Sequence, residues 1–177
     1  MLFDASLYVA KMSTVTTMIA RTPSKLQQLK SDTAQLNSLI NPIALDYTDS
    51  DQLISQLECS IDQHGPVELA VLWIHSTAPD APSAIGSLVN KTSKHAKIYH
   101  VRGSSVANPN KLDYDNHQSL RELKNVAFHE IILGFVVEES RSRWLTNKEI
   151  SQGVIEAIEN EAEKFVVGAV EPWGARP

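Results

Sequence analysis

Residues 14–46, TVTTMIARTPSKLQQLKSDTAQLNSLINPIALD, constrain the fold more than any other part of the chain. They read as a strand ending in arginine, a helix, and a second strand ending in aspartate. Val15, Met18, Ile19 and Ala20 form a short apolar run suited to a strand buried on both faces. Arg21-Thr22-Pro23-Ser24 stops that strand, and Pro23 opens a helix with Leu26 and Leu29 on its apolar edge. Asn41-Pro42 restarts the chain as Ile43-Ala44-Leu45, with Asp46 at the carboxyl end. Open α/β sheets bind ligands beyond the carboxyl ends of their strands, which places Arg21 and Asp46 at the binding edge.

The rest of the chain continues the alternation. Residues 1–12 predict an amphipathic helix carrying Leu2, Ala5, Leu7, Val9 and Ala10. A helix over 49–64 has acidic and capping groups at its start and a stripe of Leu53, Ile54, Leu57 and Ile61. Gly65-Pro66 ends it. VELAVLWI, 67–74, is apolar enough for a central strand, and a helix over 80–94 leads to a further strand at 96–101. Residues 126–137 contain another strand, and EESRSRW reads as a polar loop. Its Arg141 and Arg143 suit either an anionic ligand or a solvated surface. Thr146 and Glu149 form a capping box for a helix to about 161; a last strand over 164–170 and the tail EPWGARP follow. The expected fold is one α/β domain over 1–177, a Rossmann-like three-layer sandwich with a mostly parallel sheet.

Composition excludes several classes of function. A net charge of −5 without a dense basic run argues against nucleic acid as a partner. The lone Cys59 rules out an intramolecular disulfide and fits a reducing compartment; inside a helix it is expected as a small buried residue. No apolar stretch approaches the ~20 residues that span a bilayer, and the N-terminus lacks the order of a signal peptide, so the expected location is cytoplasmic. No histidine spacing matches a zinc site.

Three motifs in order, IARTPSKLQQL, PIALDYTDSDQL and QHGPVELAVLWIH, resemble the NAD(P)-binding half of the short-chain dehydrogenase/reductase family. The resemblance covers about residues 2–101 and extends more loosely beyond. It implies that Arg21, with Thr22 beside it, meets the ribose 2′-phosphate of NADP, with NAD as the other possible cofactor. It implies that Asp46, followed by Tyr47, contacts the adenine. His75 and Ser76 stand where the family carries a small turn beside the nicotinamide ribose, and His75 has two readings, a ligand contact or a structural histidine. Ser104 and Ser105 match the position of the family's catalytic serine, with a Gly-Ser loop devoid of chemistry as the other reading.

Two departures accompany the resemblance. The family's acid/base is a tyrosine with a lysine four residues on, which lowers a phenol pKa of about 10. Here Tyr8, Tyr47, Tyr99 and Tyr114 are followed at that spacing by Met12, Asp51, Gly103 and Gln118. Tyr114 with Lys111 is the nearest substitute. The first strand and glycine-rich turn that cradle the pyrophosphate are also missing, since no glycine precedes Gly65. The expectation is an N-terminally truncated domain, arising either from a start assigned too late or from natural loss. Three functions follow: an atypical oxidoreductase acting on a small carbonyl or alcohol, a non-catalytic dinucleotide sensor, or an interaction domain. A homo-oligomer is implied by resemblance alone.

Overall fold

The computed structural model describes residues 1–108, 118–138 and 141–177. Its elements alternate as the sequence predicts: α1 (Phe3–Met12), β1 (Val15–Ala20), α2 (Pro23–Asp32), β2 (Leu39–Ala44), α3 (Ser50–His64), β3 (Leu69–Leu72), α4 (Ala81–Thr92) and β4 (Ala96–Gly103). The short α5 (Gln118–Arg121), β5 (Val126–Leu133), β6 (Phe135–Glu138), β7 (Arg141–Trp144), α6 (Asn147–Glu159) and β8 (Lys164–Val167) complete the order. β3, β4, β5 and β8 form a parallel sheet in that spatial order, β1 and β2 form a separate parallel pair, and β6 and β7 form an antiparallel hairpin.

Alternation along the strands separates two apolar layers. Ile98 and Phe128 face Leu53 of α3 and Ile85 and Val89 of α4. Tyr99, Val101, Ile131 and Leu133 face Ala5 of α1 and Ile150, Val154 and Ala157 of α6. A third cluster, Ala10, Met18, Leu26 and Ile40, ties α1 and α2 to β1 and β2. This is an α/β three-layer sandwich with a mostly parallel sheet.

The break between the two parallel sheets has a definite geometry. Leu39 N–H donates to Thr14 C=O (2.8 Å) and Leu45 N–H to Ala20 C=O (3.2 Å). In parallel pairing, alternate residues turn their peptide groups to opposite edges. Thr16, Met18 and Ala20 therefore bond to β2, while Val15, Thr17 and Ile19 turn theirs to the other edge. Lys97 N–H donates to Glu68 C=O (2.9 Å), which by the same phase turns Leu69 and Val71 of β3 away from β4. Among the described residues no strand pairs with either of these edges. The outer edge of β2 differs: Ile40, Pro42 and Ala44 face outward there, and Pro42 has no N–H to offer another strand.

Several local expectations change. β1, expected to be buried on both faces, is half-buried except at Met18, and among the described residues it has a strand partner on one edge alone. β3, expected as central, is the edge of the larger sheet, and only Leu72 is buried. Asn41-Pro42 lies within β2 rather than before it, since proline fits a strand edge. Cys59, expected to be buried, is exposed: it lies off the stripe that α3 packs inward. Residues 141–144, expected in a loop, form β7, because Arg141 and Arg143 find carboxylate partners across the hairpin. The capping box is present, with Glu149 N–H donating to Thr146 Oγ1 (3.2 Å) and Thr146 N–H to Glu149 Oε2 (2.7 Å).

Candidate active site

The carboxyl ends of the strands gather the candidate residues into two groups. Arg21 directly follows β1, and its Nη1 lies 3.8 Å from Asp46 Oδ2, just beyond β2. Both side chains are open to solvent, so the attraction between them is weak. Asp46 also accepts from Thr48 N–H (3.0 Å) and Thr48 Oγ1 (2.8 Å). Those two bonds, aided by Arg21, hold its carboxyl below the usual range. Thr22 is the exposed N-cap of α2, and Tyr47 is half-buried against the core. His75 and Ser76 are exposed beyond β3, where Trp73 meets the His75 ring edge-on at 5.1 Å.

The second group lies beyond β4. Ser105 is exposed, whereas Ser104 is buried and its Oγ accepts from Arg176 Nε (3.0 Å). The Arg176 guanidinium lies over the rings of Trp144 (4.9 Å) and Trp173 (5.1 Å). Ser142 Oγ donates to Ala175 C=O, fastening the tail to the hairpin. No hydrogen bond or ion pair among the described residues joins Ser104 to the Arg21–Asp46 pair or to His75. Tyr114 and Lys111 lie outside the described residues.

Arg141 and Arg143, candidates for an anion, are already engaged. Arg143 bonds Glu138 Oε1 (2.8 Å) and, through both terminal nitrogens, Glu149 (2.9 Å each), while Arg141 bonds Glu138 Oε2 (3.2 Å). Bonds from Arg143, reinforced by Thr146, depress the Glu149 carboxyl to about 2. The tyrosines whose ionisation is displaced move the wrong way for acid/base work at neutrality. Burial, with the Glu161 charge, pushes the Tyr99 phenol up, and desolvation with Glu159 does the same to Tyr8. Among the described residues there is no metal-holding cluster, and no helix is long and apolar enough to cross a membrane.

Sequence reading missed Arg176 and its two tryptophans, treating 171–177 as a tail. The available signal was a Trp-Gly-Ala-Arg segment in a chain with only three tryptophans. It also missed Glu130, buried within β5 and paired with Arg102 (2.5 Å), Arg121 and Lys164 (3.8 Å each). A carboxylate inside the apolar run VAFHEIIL was the cue.

No protein-family model and no curated protein matches the chain. Solved structures do. A metagenomic short-chain oxidoreductase in complex with NADP aligns over 94% of this chain and 89% of its own, with 14% identity and a TM-score of 0.60. Acetoin dehydrogenase YohF from Salmonella typhimurium aligns over 93% and 89%, with 12% identity and a TM-score of 0.70. Acetoin dehydrogenase from Enterobacter cloacae aligns over 98% and 92%, with 11% identity and a TM-score of 0.70. The chain therefore has the fold of the short-chain dehydrogenases/reductases.

Proposed function

We propose that the protein is an atypical short-chain dehydrogenase/reductase-like oxidoreductase that binds NADP(H) and transfers hydride to or from a small carbonyl or alcohol. The observation that carries this reading is the exposed Arg21–Asp46 pair at the carboxyl ends of adjacent parallel strands. A loosely held guanidinium is available to exchange a solvated carboxylate for a 2′-phosphate, which its fork fits well. Asp46, held ionised by Thr48, is an acceptor for the adenine amino group. The adenosine end of the cofactor fits these residues. The pyrophosphate end needs a strand and glycine turn ahead of α1. The free edges at Val15, Thr17 and Ile19 and at Leu69 and Val71 favour such a strand between β1 and β3.

NADPH fluorescence titration tests the reading on the chain of 177 residues and on a form extended upstream to the preceding in-frame start. Binding by the extended form is the expected result, with affinity falling about tenfold or more in Arg21→Ala, the size of one lost charge-assisted contact. Unchanged affinity in Arg21→Ala removes that assignment. Failure of both forms to bind NADPH or NADH favours the second reading, an interaction domain. That reading draws support from Ser104, which is buried and already bonded to Arg176.

A further inference from the structure

Arg21, Arg102, Arg121, Arg141 and Arg143 each lie within ion-pair distance of a carboxylate. Arg176 is the remaining arginine, and among the described residues it has no carboxylate partner. Its contacts fix direction instead of neutralising charge. Nε–H is spent on the buried Ser104 Oγ (3.0 Å), and the guanidinium carbon rests over the Trp144 and Trp173 rings. The backbone behind it is pinned as well: Ser142 Oγ donates to Ala175 C=O, Ala175 N–H to Pro172 C=O (2.9 Å), and Arg176 N–H to Trp173 C=O (3.2 Å).

We propose that Arg176 is the anchor for a carboxylate-bearing small molecule bound beyond the carboxyl end of β4. A guanidinium has five N–H donors in one rigid plane. With Nε–H on Ser104, the four donors of the terminal nitrogens remain for a ligand, and their spacing matches two carboxylate oxygens side by side. Ring contacts hold the cation in place without cancelling its charge. The position is the ligand-binding edge of a parallel sheet, and Arg176 itself is exposed. The pair Arg21–Asp46 takes no part, so carboxylate binding and NADPH binding are separable.

Isothermal titration with succinate, and separately with inorganic phosphate, tests this on the full chain, alongside the side-chain Nε–H resonances of the arginines. Saturable succinate binding that displaces the Arg176 Nε–H signal is expected. Arg176→Gln weakens it about tenfold or more, and Arg176→Lys fails to restore it because an ammonium lacks the fork. Ser104→Ala, which frees the guanidinium to turn, weakens it less. Arg176→Gln takes the donor from buried Ser104 Oγ and should lower the melting temperature by about a few degrees while unfolding stays cooperative, which separates lost binding from lost folding. Absence of saturable binding to both anions, equal succinate affinity in Arg176→Gln, or phosphate bound more tightly than succinate overturns the assignment.

Discussion

The two parallel sheets are built from similar residues but hold them at different depths. Ile98, Tyr99, Val101 and Ile131 of β4 and β5 are almost fully buried, because each strand has a neighbour on both edges and helices on both faces. Ile19 of β1 is half-buried, in a strand that among the described residues has a partner on one edge alone. Apolar content by itself does not decide stability; the number of covered sides does. The candidate cofactor residues Arg21 and Asp46 hang from the shallower sheet, while Ser104 and Arg176 sit at the end of the deeper one.

The largest effect is expected at the ion cluster inside the deep sheet. Arg102→Met removes the nearest partner of buried Glu130 and should cost about 3–5 kcal/mol, read from urea melts. A near-neutral result would mean that Arg121 and Lys164 already suffice. Apolar truncation gives the direct contrast: Ile98→Ala should cost about 3–4 kcal/mol and Ile19→Ala about 1 kcal/mol. Equal losses would break the comparison. Thr146→Ala, which deletes the N-cap of α6, should cost about 1 kcal/mol.

Acid sensitivity sharpens the contrast. The folded carboxyl of Glu149 is depressed to about 2, so its contribution is complete above its ordinary value and lost as pH falls toward about 2. Glu149→Gln should flatten that part of the stability profile. Asp46 is depressed in the same sense by Thr48, and a carboxyl-carbon titration should find it below the ordinary range. The subtlest expectation concerns amide exchange. In β1 the amides of Thr17 and Ile19 should exchange faster than those of Met18 and Ala20, while β4 should protect both sets.

Much of this was legible in residues a few positions apart. Periodicity placed the helices, Thr146 and Glu149 announced their capping box, and the order of strands and helices led to the three-layer sandwich. Arg21 and Asp46 were readable because each ends a strand, and strand ends are local features. The depth of β1 and β3 was not readable, since an apolar run looks the same whether one or both of its edges are paired. Cys59 failed for a related reason: helix position fixes a direction, and only the packed neighbours decide whether that direction is inside.

The sequence by itself determined the element order, the α/β class and the residues that close the strands, because those follow from short-range periodicity, caps and turns. Tertiary structure alone decided that Arg141 and Arg143 are spent on Glu138 and Glu149, and that two strand edges find no partner among the described residues. It also brought Arg176 onto a serine 72 residues away. Such contacts depend on how packed layers bring distant segments together, and no local pattern encodes that distance.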